Sequence, residues 1–226
     1  MKIVRPPYPL RKVYPSLVWR MPVAEKKIYL TFDDGPIPLV TPWVLNALKQ
    51  YQAKATFFCV GENIEKHPEV YRQIKEEGHT IGNHTYNHLN GWRTRNTDYL
   101  ENIEKCARAM GLPDEEKRPL FRPPYGKITQ SQIAKILRPS AHQGVSSSPA
   151  LAAAAPRIIM WDLLTYDYDP LVSPQQCLSY ILRYARNGSI VVFHDSLKAK
   201  VNLEYALPKT LATLSAKGFT FESLTL

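Results

Sequence analysis

The sequence predicts an α/β fold, a (β/α) barrel of about seven parallel strands in a single domain, on three observations. Short apolar runs alternate with segments of helical periodicity along nearly the whole chain, the pattern of a parallel sheet with helices packed outside it. The residues that carry chemistry, Asp33 and Asp34, His84 and His88, Arg122 and Tyr125, Asp167 and His194, fall at or just after the C-terminal ends of the predicted strands. A (β/α) barrel gathers its active-site loops there, which favours it over an open doubly wound sheet. The 226 residues, 44% hydrophobic and 22% charged, also hold enough apolar material for one sizeable core.

In chain order, residues 1–26 carry Pro6, Pro7, Pro9, Pro15 and Pro22, which predicts an irregular arm without regular helix or central strand. Seven basic residues against one acid lie between positions 1 and 27, +6 of the formal +9. A basic arm suits an anionic polymer or plain solvation. No nucleic-acid motif accompanies the charge, so solvation is the expectation and nucleic acid is not a predicted partner.

The catalytic unit is expected over 27–226. Ile28 to Phe32 reads as a strand ending in Asp33-Asp34-Gly35-Pro36. Thr41-Pro42 reads as an N-cap and N1 for a helix on Val44, Ala47, Leu48 and Tyr51. Ala55 to Val60 is a fully apolar strand, Pro68 opens a helix on Val70 and Ile74 that stops at Gly78, and His79 to Gly82 is a short strand. A helix follows from Thr97 to Gly111, then a strand over Leu120 to Arg122 and a capping box, Thr129 to Gln132, for a helix on Ile133, Ile136 and Leu137.

Pro139 to Pro156 breaks the rhythm with serine and alanine runs and predicts a mobile, low-complexity loop. Regularity returns with a strand over Arg157 to Trp161, a capping box at Ser173 to Gln176, a strand over Ser189 to Phe193, a helix over Leu203 to Lys217, and a last strand from Phe219. Cys59, Cys106 and Cys177 are odd in number and widely spread, which argues against disulfides and thiolate metal sites and for buried apolar roles. No signal-peptide core of about 7 to 15 apolar residues opens the chain. No run approaches the roughly 20 residues of a membrane span, so a cytoplasmic protein is expected unless a leader was removed.

Two adjacent carboxylates at the end of a buried strand raise one another's pKa unless something positive neutralises them, and a metal cation is the usual neutraliser. Asp33 and Asp34 also fit a simple turn-closing or capping pair. His84 and His88, four positions apart, lie on one side of a helical turn and can close on one cation. With one carboxylate they make a two-His, one-carboxylate set that leaves positions open for water and substrate.

Thr31 to Pro36, His84 to His88, Arg122-Pro123-Pro124-Tyr125-Gly126 and Ile190 to Asp195 occur in that order. Together they resemble the successive motifs of the polysaccharide deacetylase family, carbohydrate esterase family 4, over nearly the whole chain from about Lys26. The resemblance implies a distorted barrel of fewer than eight strands. It implies that Asp34, His84 and His88 hold a divalent metal, zinc first, with cobalt or nickel as alternatives. It assigns Asp33 as general base and His194 as general acid. Arg122 would hold Asp33, Asp167 would orient His194, the backbone N–H of Tyr125 would meet the oxyanion, and Val192 would line the acetyl pocket. The family's fourth motif has an aspartate where Leu164 stands and a tryptophan where Tyr168 stands, so Tyr168 forms a changed wall of the groove. The function this implies is removal of N-acetyl groups from N-acetylhexosamine units of a glycan, of peptidoglycan or chitin type. A cyclic-imide or small-amide hydrolase and a non-catalytic glycan-binding barrel are the alternatives. The intact Asp33 and His194 speak against the last.

Overall fold

The computed structural model describes residues 2–111, 120–138 and 156–225. The low-complexity stretch expected to be a loop lies outside these except for Pro156. The centre of the molecule is β1 (Lys27–Asp33), whose last six residues are all buried. On one side it pairs with β2 (Ala55–Cys59), which leads on to β3 (Thr80–Asn83), β4 (Leu120–Phe121) and β5 (Arg157–Ile158). On the other it pairs with β7 (Ile190–His194), flanked by β6 (Leu163–Leu164). β8 (Thr220–Phe221) lies against Lys27 and Ile28, ahead of the point where β2 begins its pairing. Every ladder is parallel. The seven strands on this path curl into a distorted half-barrel, in agreement with the expected fold.

Parallel strands covered on both faces read as unbroken apolar runs, which is why β1, β2 and β7 were legible. Phe32 stacks on Phe57 at 5.0 Å and on Phe193 at 5.9 Å, tying these three strands through one aromatic row. Burying each such ring contributes about 1.5–3 kcal/mol. Outside the sheet pack α2 (Thr41–Lys49), α3 (Gly61–Lys66), α4 (Pro68–Glu76), α5 (Asn96–Met110), α6 (Gln130–Leu137), α7 (Pro174–Tyr184) and α8 (Lys200–Ala216). The capping boxes at Thr129 and Ser173 form as expected. Cys59, Cys106 and Cys177 are free and buried. Among the described residues no helix is long and apolar enough to cross a membrane.

Four local expectations are corrected. Thr41 is the first residue of α2 and not its N-cap; its hydroxyl accepts from Ile37 N–H and donates to Asp195. The strand expected over Arg157 to Trp161 pairs only at Arg157–Ile158, and β6 and α3, both short, were not anticipated. The arm contains a helix, α1 (Tyr8–Val13), because Pro7 sits at its N-cap and Pro9 in its first turn, where a missing N–H costs no hydrogen bond. Nor are the arm's cations simply solvated. Arg5 and Arg11 reach the buried Asp162 at 2.9 and 2.8 Å, and Lys2 pairs with Asp169. Val18 bridges Ile159 and Arg20 bridges Ser189, so the arm runs across the seam where β5 and β6 do not pair.

Candidate active site and metal centre

The site is built at the C-terminal ends of β1, β3, β4 and β7. Register places Asp33 of β1 directly beside His194 of β7. The chain then turns sharply, with Asp34 at φ 82°. Two groups hold this turn. Asn63 donates to the Asp34 carbonyl at 2.7 Å, and the Asp195 carboxyl accepts from Gly35 N–H at 3.0 Å and from the Thr41 hydroxyl at 2.6 Å. A Cβ on Gly35 would stand 2.0 Å from Asp195 Oδ2, so only glycine admits this approach. Burial pushes the Asp195 carboxyl up to about 8.

His84 follows β3, and His88 comes to the same place by a route the sequence did not predict. The intervening chain is an irregular loop with Thr85 and His88 at φ 63° and 55°, not a helical turn. Asn83 fixes it by accepting from Thr85 N–H while its amide donates to the Ile103 carbonyl, and Asn102 accepts from the N–H groups of Tyr86 and Asn87. Nδ1 of His84 lies 2.8 Å from the Arg122 carbonyl, an acceptor, so Nδ1 carries the proton and Nε2 turns its lone pair toward Asp34. Burial holds His84 down to about 4, which keeps it neutral.

Asp34 Oδ1 stands 3.8 Å from His84 Nε2 and 3.2 Å from His88 Nε2, is buried, and accepts no well-formed hydrogen bond. Burial alone would raise this carboxyl, but the nearness of His88, His194 and His84 outweighs it and holds it well below the usual range. One ligand atom from each of Asp34, His84 and His88 lies within 4.8 Å of the other two. An orphaned carboxylate oxygen facing imidazole lone pairs is the arrangement a divalent cation satisfies, and the three residues fit such an ion.

Arg122 is fully buried at the end of β4. It donates to Asp33 Oδ1 at 2.7 Å, to Thr31 Oγ1 at 2.7 Å and to the carbonyls of Met160 and Ile159. Across the cleft Asp167 takes both nitrogens that His194 offers it, Nδ1 at 2.7 Å and the backbone N–H at 2.7 Å. Burial would depress His194, but the Asp167 charge and hydrogen bond, with Asp34 and Asp33 beyond, raise it to about 9. Tyr168 meets the His194 ring edge-on at 4.7 Å, and Val192 lines the same cleft, whose volume is about 470 Å³. Tyr125, at φ 60° and 60% exposed, sits at the rim with its hydroxyl 3.1 Å from His88 Nδ1.

Eight of the ten site residues singled out in the sequence line one cleft, and the other two, Arg122 and Asp167, lie buried behind it against Asp33 and His194. Trp161, Lys127 and Lys198 also line it, and Asp195, Thr41 and Asn63 hold its floor; none of these was read from the sequence as part of the site. Asp195 had a signal in its adjacency to His194, whereas Trp161 and Lys198 lie outside every motif.

A curled parallel half-barrel with an open two-His, one-carboxylate set beside a carboxylate and a raised histidine defines a metal-assisted hydrolase. The family model for polysaccharide deacetylases matches residues 20–139. A peptidoglycan-N-acetylglucosamine deacetylase of Bacillus cereus is 34% identical over 207 residues, 91% of this chain and 89% of its own length. A chitooligosaccharide deacetylase of a Bradyrhizobium strain is 32% identical over 171 residues, 75% and 71% of the two chains. Among solved structures, a peptidoglycan N-acetylglucosamine deacetylase in complex with 4-naphthalen-1-yl-N-oxidanyl-benzamide superposes with a TM-score of 0.79 at 30% identity, covering 97% of this chain and 95% of that one. This chain belongs to the polysaccharide deacetylase family.

Proposed function

We propose that the protein is a metal-dependent N-deacetylase that hydrolyses the acetamide of N-acetylhexosamine units in a glycan. The observation that carries this reading is the presence, in one cleft, of an Arg-held carboxylate and an Asp-held histidine beside the Asp34, His84 and His88 set. An amide resists water because hydroxide is scarce and the amine leaves poorly, so a catalyst needs a base, an oxyanion donor and an acid. When bound, a divalent ion lowers the pKa of water and polarises the carbonyl; the donor set suits zinc, with cobalt or nickel as alternatives.

Asp33 accepts the proton of the attacking water, and the Arg122 guanidinium, donating to its Oδ1 at 2.7 Å, holds it aimed. The Tyr125 N–H faces the developing oxyanion. His194, whose raised pKa keeps it protonated at neutral pH, delivers its Nε2 proton to the departing nitrogen. Asp167 fixes that proton by occupying Nδ1. Tyr125 stands exposed at the rim and the cleft is open to solvent there, so a groove for a chain is favoured over a closed pocket for a cyclic imide.

Acetate release from N-acetylated hexosamine oligomers, measured on chelator-stripped protein before and after zinc or cobalt is returned, tests the reading. Release that follows the metal is expected, and Asp33→Asn should keep the metal while losing about 10²–10⁴-fold in kcat. Metal bound without release from any oligomer would overturn it.

A further inference from the structure

Asp167 is engaged at every polar group it has. Its carboxylate accepts from His194 Nδ1 and from the His194 N–H, its own N–H donates to Thr165 Oγ1 at 3.3 Å, and its carbonyl accepts from the Asn202 side chain at 2.8 Å. Thr165 in turn donates its hydroxyl to the carbonyl of Val192, in the strand that ends at His194. Asn202 lies outside every motif of the sequence and lines no part of the catalytic cleft. Yet it alone holds the carbonyl of the residue that orients the acid.

Asn202 is buried in the first turn of α8, on the stretch of chain that leaves His194. Its amide nitrogen carries two hydrogens, and both go to one loop: Nδ2 donates to the Asp167 carbonyl at 2.8 Å and to the Val172 carbonyl at 3.0 Å. Those carbonyls mark the two ends of the loop 167–172. Within it the Asp169 side chain accepts from Leu171 N–H and the Asp169 carbonyl from Val172 N–H, so the loop is closed on itself. It carries Asp167 at its start and then Tyr168, whose ring meets His194 edge-on at 4.7 Å. A single hydrogen bond would let such a loop swing about it. Two bonds, from one planar amide to the two ends, fix its direction as well. Asp167 is thereby held from opposite sides, its carboxylate by His194 and its carbonyl by Asn202, and both holders ride on the segment that runs from β7 into α8.

We propose that Asn202 is a positioning residue for the acid step: by holding the Asp167 carbonyl it keeps the Asp167 carboxylate on His194, and so keeps the His194 Nε2 proton aimed at the departing nitrogen. The chemistry rests on the deacetylase reading, whereas the hold on Asp167 is readable without turnover. The titratable groups facing His194 are Asp33 and Asp34 of β1, Asp167 and Tyr168 of the loop after β6, and Lys198 of its own loop across the cleft, with His84 and His88 beyond Asp34. Asn202 adds no charge to this set. Without its two donors the loop is free to carry the Asp167 carboxylate away from Nδ1, and the attraction that holds the His194 proton falls with the distance.

Asn202→Ala removes both donors, and Asn202→Asp removes them while keeping the shape. In the zinc-loaded protein each is expected to lower kcat on an N-acetylglucosamine tetrasaccharide by roughly tenfold with KM unchanged, equivalent to about 1.4 kcal/mol. The alkaline limb of kcat/KM should move to lower pH. The His194 imidazole, followed by NMR in the metal-free protein, should titrate about one unit lower than in the wild type. In an Asp167→Asn background the same substitutions should cost nothing further, since the group they position is gone. Zinc affinity by calorimetry should be unmoved, because Asp34, His84 and His88 are carried by other elements. If Asn202→Asp fails to fold, Asn202→Ala decides alone. A His194 titration unmoved in Asn202→Ala, or a loss that adds in full to that of Asp167→Asn, overturns the proposal and leaves Asn202 a staple between α8 and its neighbouring loop. No acetate from the wild type would instead overturn the deacetylase reading, with the NMR titration still deciding whether Asn202 holds Asp167 on His194.

Discussion

Replacing Asp167 with Asn removes the charge that sets His194 while nearly keeping its shape. Asp167 presents one oxygen to His194 Nδ1 and the other to the His194 backbone N–H, both at 2.7 Å, and its own side chain is fully buried. Both facing groups are donors, so an amide satisfies one and abuts the other. Without the charge, burial is opposed only by the more distant Asp34 and Asp33, and His194 falls from about 9 toward its ordinary 6.5. An acid must hold its proton, so kcat/KM in the wild type persists below the His194 pKa and declines above it. At pH 8 the protonated fraction drops from roughly 0.9 to roughly 0.03, a loss of about thirtyfold, recovered in part toward pH 6. A bound cation offsets Asp34 and Asp33 and lowers the wild-type limb, but the direction set by Asp167 is the same. Stability follows the same sign. A raised histidine stabilises the fold below the unfolded pKa, and the contribution, about 3 kcal/mol, is lost as pH rises through about 9. The assay is acetate release from pH 5.5 to 10 beside urea unfolding at each pH. A variant whose alkaline limb stays where the wild type's lies would refute the assignment of His194 as the acid held by Asp167.

Three further outcomes are expected. His84→Ala removes a buried ligand, so zinc affinity by titration calorimetry should fall by at least tenfold and the zinc-dependent rise in Tm should vanish; an undiminished rise would exclude His84 from the metal set. Asp162→Ala leaves Arg5, Arg11 and Arg186 without their shared carboxylate, at a cost of about 3 kcal/mol or more, and should open the arm to limited proteolysis ahead of the barrel. Against the cost of burial, the Ser189 hydroxyl and the three arginines hold Asp162 down to about 2, so its contribution is present above the unfolded value of 3.8 and fades as pH falls toward 2. Gly35→Ala places a methyl against Asp195, so metal affinity and activity should fall together with little change in far-ultraviolet circular dichroism, whereas wild-type metal affinity would mean that the turn can shift at no cost.

Much of this was legible because the elements that carry the site are the long ones. β1 and β7 announce themselves as apolar runs, and their parallel register brings Asp33 beside His194 from residues 161 positions apart. Two-residue strands such as β5 and β6 leave too short a periodicity to read, and their position is set by pairing with neighbours distant in sequence. The histidine pair is brought together, but not by the local route that its spacing suggested. Helical spacing suggested one face of a helix, while the loop does it with two positive-φ residues and the amides of Asn83 and Asn102. Asp195 shows the same limit. Its sequence neighbour marked it, but only the fold reveals that it holds the turn carrying Asp34 through Gly35 and Thr41.

The arm was the least legible segment, and the reason is electrostatic. Clustered arginines read from sequence as a solvated or polymer-binding face, since their partner lies some 150 positions away and is a single buried carboxylate. Arg5, Arg11 and Arg186 all converge on Asp162, whose oxygens also accept from Ser189. Buried charge of this kind stabilises little by itself, because desolvation offsets most of the attraction, but it allows one placement of the arm and penalises others. That placement lays Val18 and Arg20 across the open seam of the half-barrel and sets Pro6, Pro7 and Leu10 beside Trp161 and Leu164. The proline-rich segment that sequence reading set apart from the catalytic unit thus packs against Trp161 and Leu164, which line the catalytic cleft. Loosening it by Asp162→Ala should alter substrate preference before it alters the chemistry at Asp33 and His194.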